Sequence, residues 1–454
     1  MRRMLIIVST LIVSLALGWA QAPAVPTVYD LPGVIARVLA ANPTIHAARQ
    51  SVSTAQAKVD EARAGQRPKV QGEAGYLQLA QDPSFTVQPM GTLVFGRSDN
   101  PYANISLDWP IYSGGLIQGM IAASRQGVDA ARQGYARTQQ EIVAEVSTAY
   151  YQVQSAQRLV EVMQGQVTTL REAVRVASGL HEQGVVAKLD VLRPTSELAS
   201  AQTSLTQAEN GYQIALSNLT RLLNLPPEAV MTLTPAPETP MPAPVNLSLS
   251  IPMAMALRPE MQQLQAYLRA ADAQRDIARA GRKPQLGLHA QYDFERSTTY
   301  PDTGTWSLAL VLRQPLYDGG TAKAQLAEAN SQRAELRDQE EALRQGITMQ
   351  VTTAVLNMQA EEKSVQSATQ ANATAEEAYR AAEDSYKNQV VPMIDVLSAQ
   401  SALTNARVQL ALAEFGRQTA LIQYHLALGD APREGEAPPS QTKREGGVPP
   451  SQIK

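Results

Sequence analysis

The residues of this chain that could carry acid–base or metal chemistry do not fall into a catalytic spacing. No histidines stand four apart on one helix face as in H-E-x-x-H, and no G-x-S-x-G, Walker or G-x-G-x-x-G sequence is present. The chain has no cysteine, which excludes disulfides, thiolate metal sites and cysteine nucleophiles. We therefore expect neither an enzyme nor a cofactor, and a secreted enzyme with an unrecognised site is the least favoured alternative. The scattered histidines are His46, His181, His289 and His425.

Two carboxylates draw attention because they hold the same place in a duplicated segment. Residues 185–192 (VVAKLDVL) match residues 390–397 (VVPMIDVL), which aligns Asp190 with Asp395 at an offset of 205 (395 − 190). An aspartate in such a turn can cap a helix by accepting bonds from free backbone N–H groups. The positions of these two turns depend on the elements that flank them.

The duplication extends along most of the chain. WPIYSGG at 109–115 matches QPLYDGG at 314–320, again at an offset of 205 (314 − 109). Earlier in each copy the offset is 216, because Pro43 and Pro68 match Pro259 and Pro284. The difference of 11 residues (216 − 205) falls between 68 and 110, where a surface loop would tolerate an insertion. The sequence therefore predicts two repeats, residues 23–225 and 251–430.

Each repeat carries the pattern of a long helix. Between 142 and 177, apolar residues recur at alternating steps of four and three, which is typical of a left-handed coiled coil. The predicted long helices are residues 116–180 and 320–386, followed by return helices 188–224 and 393–428. The first would be about 97 Å long at 1.5 Å per residue, which favours an elongated object. An ordinary coiled-coil rod fits this pattern equally well.

Alternating apolar and polar residues predict two strands in each repeat, paired as hairpins 68–112 and 284–317. One apolar face and one polar face suit lipid outside and water inside a barrel. Four strands cannot close a barrel, and open edges are not tolerated in lipid, so several copies would be needed. A dimer would close around side chains, whereas a trimer would enclose a channel. A soluble two-hairpin cap on a rod is the alternative.

The remaining segments indicate export. Residues 1–22 resemble a secretory signal, with Arg2 and Arg3, a short apolar stretch and an A-x-A site, and a retained anchor is the alternative. A proline-rich linker is predicted at 226–250 and a disordered tail at 431–454. The net charge of −3 argues against nucleic acid as a partner.

In the order and spacing of these segments the chain resembles the TolC-type outer-membrane efflux family, over nearly its whole mature length. The resemblance implies a mainly α fold with a small β part, in which three copies build a twelve-stranded barrel in outer-membrane lipid and a twelve-helix periplasmic tunnel. Shorter helices at 30–64 and 251–280 would stack on the return helices to match the long ones.

As function, the resemblance implies a passive exit duct for small molecules or proteins in a tripartite efflux or type I secretion system. A periplasmic adaptor and an inner-membrane pump of the RND or ABC type would be its partners. The alternative is a structural or adhesive coiled-coil envelope protein without a pore.

The resemblance also assigns roles to the two turns. Tyr386 and Asp190 match residues that hold the periplasmic end closed, and Asp395 matches a carboxylate ring at the narrowest point, where it would attract cations. Val391 replaces the family's gate arginine and Ser398 replaces a second pore aspartate, so the gate would lack its strongest charge-assisted bonds. Capping of helices by Asp190 and Asp395 is the alternative role. The turn residues expected to dock the adaptor are Gly184, Val185, Val186, Gln389 and Val390.

Overall fold

The computed structural model describes residues 27–94, 96–229, 231–235, 246–295 and 303–430. The predicted signal peptide and the predicted tail lie outside these ranges. Within them the protein is mainly helical with a small β part, so the predicted fold class is confirmed. No helix in these ranges is both long enough and apolar enough to cross a membrane.

The elements follow the same order in both halves of the chain. The first half contains β1 (Thr27–Tyr29), α1 (Leu31–Ala41), α2 (Pro43–Ala64), β2 (Lys69–Gln78), β3 (Ser84–Val87), β4 (Gly91–Val94), β5 (Asp99–Tyr112), α3 (Leu116–Glu182) and α4 (Lys188–Leu222). The second half contains β6 (Met231–Leu233), α5 (Leu247–Leu257), α6 (Pro259–Ala280), β7 (Gln285–Glu295), β8 (Thr303–Arg313), α7 (Thr321–Lys387) and α8 (Met393–Leu428).

Two predictions need correction. The helices expected at 30–64 and 251–280 are each broken in two, at Asn42 and Arg258, which have extended ψ angles of 125° and 126°. Each break precedes a proline, which disfavours a helical conformation in the residue before it and cannot donate a helix bond. The linker expected at 226–250 contains β6, which pairs in parallel with β1, and α5 already begins at Leu247.

The chain divides into two compact units, and α3, α7 and α8 contribute residues to both. Of the described residues, one unit comprises 27–42, 145–229, 231–235 and 360–419, and the other comprises 43–94, 96–144, 246–295, 303–359 and 420–430. The first contains the two turns that follow α3 and α7. The second contains the main sheet.

The main sheet has four antiparallel strands in the order β2-β5-β7-β8. Its cross-strand rows alternate in character: Ile105, Tyr292 and Trp306 form an apolar row, and the next row is Ser106, Gln291 and Ser307. The apolar face is open, since Trp306 is 74% exposed. The alternation predicted from the sequence therefore gives the sheet one apolar and one polar face.

The longer loop of the first repeat forms a structure of its own. The strands β3 and β4 pair as a small antiparallel hairpin between β2 and β5. Between the matching prolines, segment 284–315 of the second repeat is 11 residues shorter than segment 68–110 of the first (42 − 31).

The two helix breaks have the same structural role in the two repeats. In the first unit the side chain of Asn42 donates from Nδ2 to the carbonyl of Leu222, 3.2 Å away. In the second unit Arg258 donates from Nε to the carbonyl of Ala427 at 2.7 Å, and from Nη1 to Gln350 Oε1 at 2.6 Å. Because residues 222 and 427 correspond at the offset of 205, each break satisfies the same orphan carbonyl at the end of a return helix.

We predict that Arg258→Ala destabilises the protein by about 3 kcal/mol, because it leaves the buried carbonyl of Ala427 without its donor and Gln350 Oε1 without the guanidinium. The Arg258 side chain is only 6% exposed and lies 3.9 Å from Glu260. The measurement is the denaturant midpoint of the folded protein. The matched control is Arg279→Ala, which removes an exposed arginine paired with Asp276 on the same helix and should change stability by no more than about 0.5 kcal/mol. Equal losses in the two variants would contradict the role given to Arg258.

Candidate functional site

The turn after α3 ends the helix with a Schellman motif. Gly184 has a φ of +76°, its N–H bonds the carbonyl of His181 at 2.9 Å, and the N–H of Val185 bonds the carbonyl of Leu180 at 2.9 Å. This pattern needs a left-handed residue after the helix, and glycine adopts that conformation without strain. The sequence therefore supplies the preferred residue at the first turn.

The turn after α7 has the same geometry without the glycine. Gln389 corresponds to Gly184 at the offset of 205, and it adopts a φ of +59°. Its N–H bonds the carbonyl of Tyr386 at 2.9 Å, and the N–H of Val390 bonds the carbonyl of Ser385 at 2.8 Å. A left-handed conformation costs a residue with a Cβ roughly 1–2 kcal/mol, so the second turn is strained.

The two aspartates lie in the first turns of the return helices and do not cap them. Asp190 is the third residue of α4, whose N-cap is Ala187 without any side-chain bond. Asp395 is likewise the third residue of α8, which begins at Met393. The capping interpretation is wrong because each helix starts before its aspartate. Both carboxylates still lie near the positive end of a helix dipole, where negative charge is favoured.

Asp395 and Ser398 share an exposed face of α8. They stand three residues apart, which places them on the same side of the helix. The face continues through Ala402, Asn405 and Gln409, all exposed, at alternating steps of four and three. We call these five residues the α8 stripe. Asp395 is its one charged member, so the stripe carries an isolated carboxylate at the start of the helix.

Tyr386, by contrast, lies in a buried apolar cluster. Its side chain is 8% exposed, and Val391 packs against the same cluster. Burial, and to a smaller extent the carboxylate of Asp190, raise the pKa of the Tyr386 hydroxyl. Within the described residues this hydroxyl has no hydrogen-bond partner. The buried cluster comprises Val167, Leu170, Ala177, Ala201, Tyr386, Met393, Val396 and Leu397.

The predicted site residues therefore separate into three groups. Tyr386 belongs to the buried cluster, Val391 packs against it, and the carboxylate of Asp190 acts electrostatically on the Tyr386 hydroxyl. Asp395 and Ser398 lie on the exposed α8 stripe. The remaining residues form the turns themselves, where Gly184, Val185, Gln389 and Val390 are exposed and Val186 is half-buried. No site in the described part of the chain groups three or more residues able to bind a metal ion.

His181 has a contact that the sequence analysis missed. His181 is exposed at the first turn, and its Nδ1 lies 2.9 Å from the carbonyl oxygen of Val186, which closes the turn. The signal was present in the repeat alignment, because His181 corresponds to Tyr386 at the offset of 205. The same position thus closes the turn in one repeat and enters the apolar cluster in the other.

The sequence matches a known protein family. The pattern of the family described as outer membrane efflux protein matches residues 34–225 and 250–430. Protein CyaE of Bordetella pertussis is 27% identical over 337 residues, covering 73% of this chain and 69% of that protein. Outer membrane efflux protein BepC of Brucella suis is 21% identical over 387 residues, covering 85% and 82%.

Solved structures share the fold. The CmeC outer membrane channel of Campylobacter jejuni superposes with a TM-score of 0.76 at 15% identity, over 90% of this chain and 87% of that one. The outer membrane protein VceC of Vibrio cholerae gives a TM-score of 0.73 at 18% identity, over 88% of this chain and 96% of that one. At these identities the likeness concerns the fold.

We predict that Gln389→Gly stabilises the second turn by about 1 kcal/mol, because glycine relieves the left-handed strain. The chain supplies the reciprocal control, since Gly184→Gln should destabilise the first turn by a similar amount. Hydrogen exchange of the amides of Gln389 and Val390, and of Gly184 and Val185, measures each turn locally. Faster exchange at the second turn of Gln389→Gly would contradict the strain.

Proposed function

We propose, from the premise that this chain belongs to the outer membrane efflux protein family, that it is the passive exit duct of a tripartite efflux or type I secretion assembly. The protein is an outer-membrane efflux channel that extends into the periplasm, and it is not an enzyme. Small molecules or proteins would pass through it, while the energy for export would come from an inner-membrane pump of the RND or ABC type.

One observation carries the proposal: the main sheet exposes an apolar face and a polar face, and no strand of the described residues pairs with the outer edges of β2 and β8. Lipid suits the apolar face and water suits the polar one. Since open edges are not tolerated in lipid, the sheet must be completed by other copies. Three copies supply twelve strands, which enclose a water-filled lumen. A coiled-coil envelope protein without a pore would leave the exposed apolar face unexplained.

The two turns are the proposed docking site of a periplasmic adaptor. Val185 is 46% exposed and Val390 is 75% exposed, although both are apolar. Exposed apolar residues at the end of a helical pair are suited to contact another protein. Relatives of this chain include a probable efflux pump outer membrane protein, TtgC of Pseudomonas putida, and a pyoverdine export outer membrane protein, OpmQ of the same species. Their names support a role as the outer component of a pump.

The α8 stripe is the proposed constriction. In a trimer, three copies of Asp395 would meet as a carboxylate ring, and the uncharged Ser398 would follow about one helix turn further along α8. Such a ring attracts cations and repels anions. Tyr386, Asp190 and Val391 are the proposed gate.

Replacement of Asp395 tests the constriction. Asp395→Ala should lower the cation-to-anion permeability ratio severalfold and weaken block by divalent cations, because the ring loses its charge. The measurement is the reversal potential of single channels in a salt gradient. Asp384→Ala, which removes an exposed acid from α7 near the same turn, is the control and should leave the ratio unchanged. Unaltered selectivity in Asp395→Ala would remove Asp395 from the pore.

Replacement of the gate residues tests how the end is closed. Tyr386→Phe combined with Asp190→Ala should raise the resting conductance, because the proposed gate loses its two polar groups, the Tyr386 hydroxyl and the Asp190 carboxylate. The control is Tyr379→Phe, since Tyr379 is also on α7 and packs against the same cluster. Equal resting currents in the double variant and the wild type would mean that other contacts close the channel.

A further inference from the structure

Corresponding helices of the two repeats are buried to different extents. The helices α2 and α6 both have 22 residues and the same place in their repeats. The buried residues of α2 are Ile45 and Val59. Those of α6 are Pro259, Met261, Leu264, Ala266, Ala273, Ala278 and Ala280. Within the described residues, α6 therefore has a neighbour from the other repeat that α2 does not have.

That additional neighbour is α3. Arg269 of α6 donates from Nε to Gln126 Oε1 on α3 at 2.6 Å, and on another side Asp272 pairs with Arg333 of α7 at 2.6 Å. Ala280 of α6 is fully buried. Its counterpart at the offset of 216 is Ala64 of α2, which is exposed. The surface that α6 uses to contact α3 is therefore open on α2.

The start of α7 is open in the complementary way. A Cβ on Gly119 of α3 would lie 2.7 Å from Ile277 Cγ1, and one on Gly114 would lie 2.9 Å from Lys283 Cβ, so both glycines are pressed against α6 and its end. The counterpart of Gly114 at the offset of 205 is Gly319, which has no atom within 4 Å of such a Cβ. The space beside Gly114 is thus filled by residues of the second repeat, whereas the equivalent space beside Gly319 is not filled by any described residue.

The edge strands of the sheet are related to the inner strands by the same repeat, and this relation predicts how the edges of two copies would pair. Strands β5 and β7 pair so that residue numbers sum to 397, as in Asp108 with His289. The edge strand β8 corresponds to β5 at +205, and the edge strand β2 corresponds to β7 at −216. Transferring the pairing gives partners whose numbers sum to 386 (397 + 205 − 216). This register pairs Leu312 with Ala74.

We propose that β8 of one copy pairs with β2 of the next copy in this register, with Arg313 of one copy bound to Glu73 of the other. The pair takes the place that Asp108 and His289 hold within the chain, where their side chains lie 2.8 Å apart. The partner is a second copy of this chain, and the inference rests on the proposed assembly of several copies. The register specifies which residues of β8 and β2 are paired between the two copies.

The side chains of the two edges support this register. Arg313 and Glu73 have opposite charges, and both are exposed in the single chain. Glu73 Oε1 accepts a bond from the Tyr102 hydroxyl at 3.2 Å, and its second oxygen can receive the guanidinium. On the other face the register sets Leu310 beside Tyr76, both of which are exposed apolar residues. A slip by one residue would place apolar side chains on the polar face.

The contact is heterologous, because β2 meets β8 and never another β2. Contacts of this kind generate a ring when the rotation closes, as the proposed channel requires. The helices follow the same rule, since the open side of α2 would receive the open start of α7 from the neighbouring copy. One repeated contact thus builds both the sheet and the helical wall of this unit.

Cysteine cross-linking tests the register directly, since the chain contains no cysteine of its own. Leu312→Cys combined with Ala74→Cys should give covalent dimers and trimers on a non-reducing gel, because directly paired strand residues lie about 4.5–5.5 Å apart, within disulfide reach. Leu312→Cys combined with Tyr76→Cys is the control. That diagonal pair is separated by roughly 7–8 Å and should cross-link poorly.

The outcomes distinguish the register from the assembly. Native mass of the wild-type protein reports whether copies associate at all, and a monomer would contradict the proposed function as well. A multimer in which the control pair cross-links, or neither pair does, would overturn the register while leaving the function intact.

Charge exchange tests the ion pair separately. Arg313→Glu and Glu73→Arg should each lower the temperature at which the multimer dissociates in detergent, and the combination should restore it. Failure of the combination to recover any of the loss, in protein that still cross-links between residues 312 and 74, would overturn the ion pair.

Discussion

The unpaired edges of the four-stranded sheet determine how the rest of the molecule must be built. Along their outer edges, β2 and β8 present rows of backbone N–H and C=O groups that no strand in the described part of the chain pairs with. In lipid each such group costs several kcal/mol, so the apolar face of the sheet cannot enter a membrane until both edges are paired. The duplication solves this, because a chain whose two halves pair with each other presents edges suited to further copies.

The two repeats remain alike where they support the fold and differ where their surroundings differ. Asn42 and Arg258 are different residues, yet each stabilises the end of a return helix in the same way. His181 and Tyr386 hold one position, but the first bonds its own turn and the second is buried among apolar side chains. The second turn also accepts strain at Gln389. The turns, where the proposed gate lies, are therefore one of the places where the repeats diverge.

Local patterns allowed the long helices, the four sheet strands and their faces to be predicted from the sequence, since each depends on residues a few positions apart. The pairing of β1 with β6 was not predictable, because three-residue strands carry almost no periodic signal and join residues near 28 and 232. The role of Arg258 was hidden for the same reason, since its acceptors Ala427 and Gln350 are remote in sequence. At the site, the turns were predicted, but the burial of Tyr386 depended on tertiary packing.

The most direct test of a water-filled duct is the single-channel current of the purified protein inserted in a planar bilayer. The account predicts discrete current steps that favour cations and are blocked by a divalent cation added from the side of the two turns. The Tyr386→Phe and Asp190→Ala double variant is recorded in parallel, because a wild-type channel that is closed at the turns would carry no current even if it contained a duct. Folded, inserted protein that conducts in neither form would contradict the account.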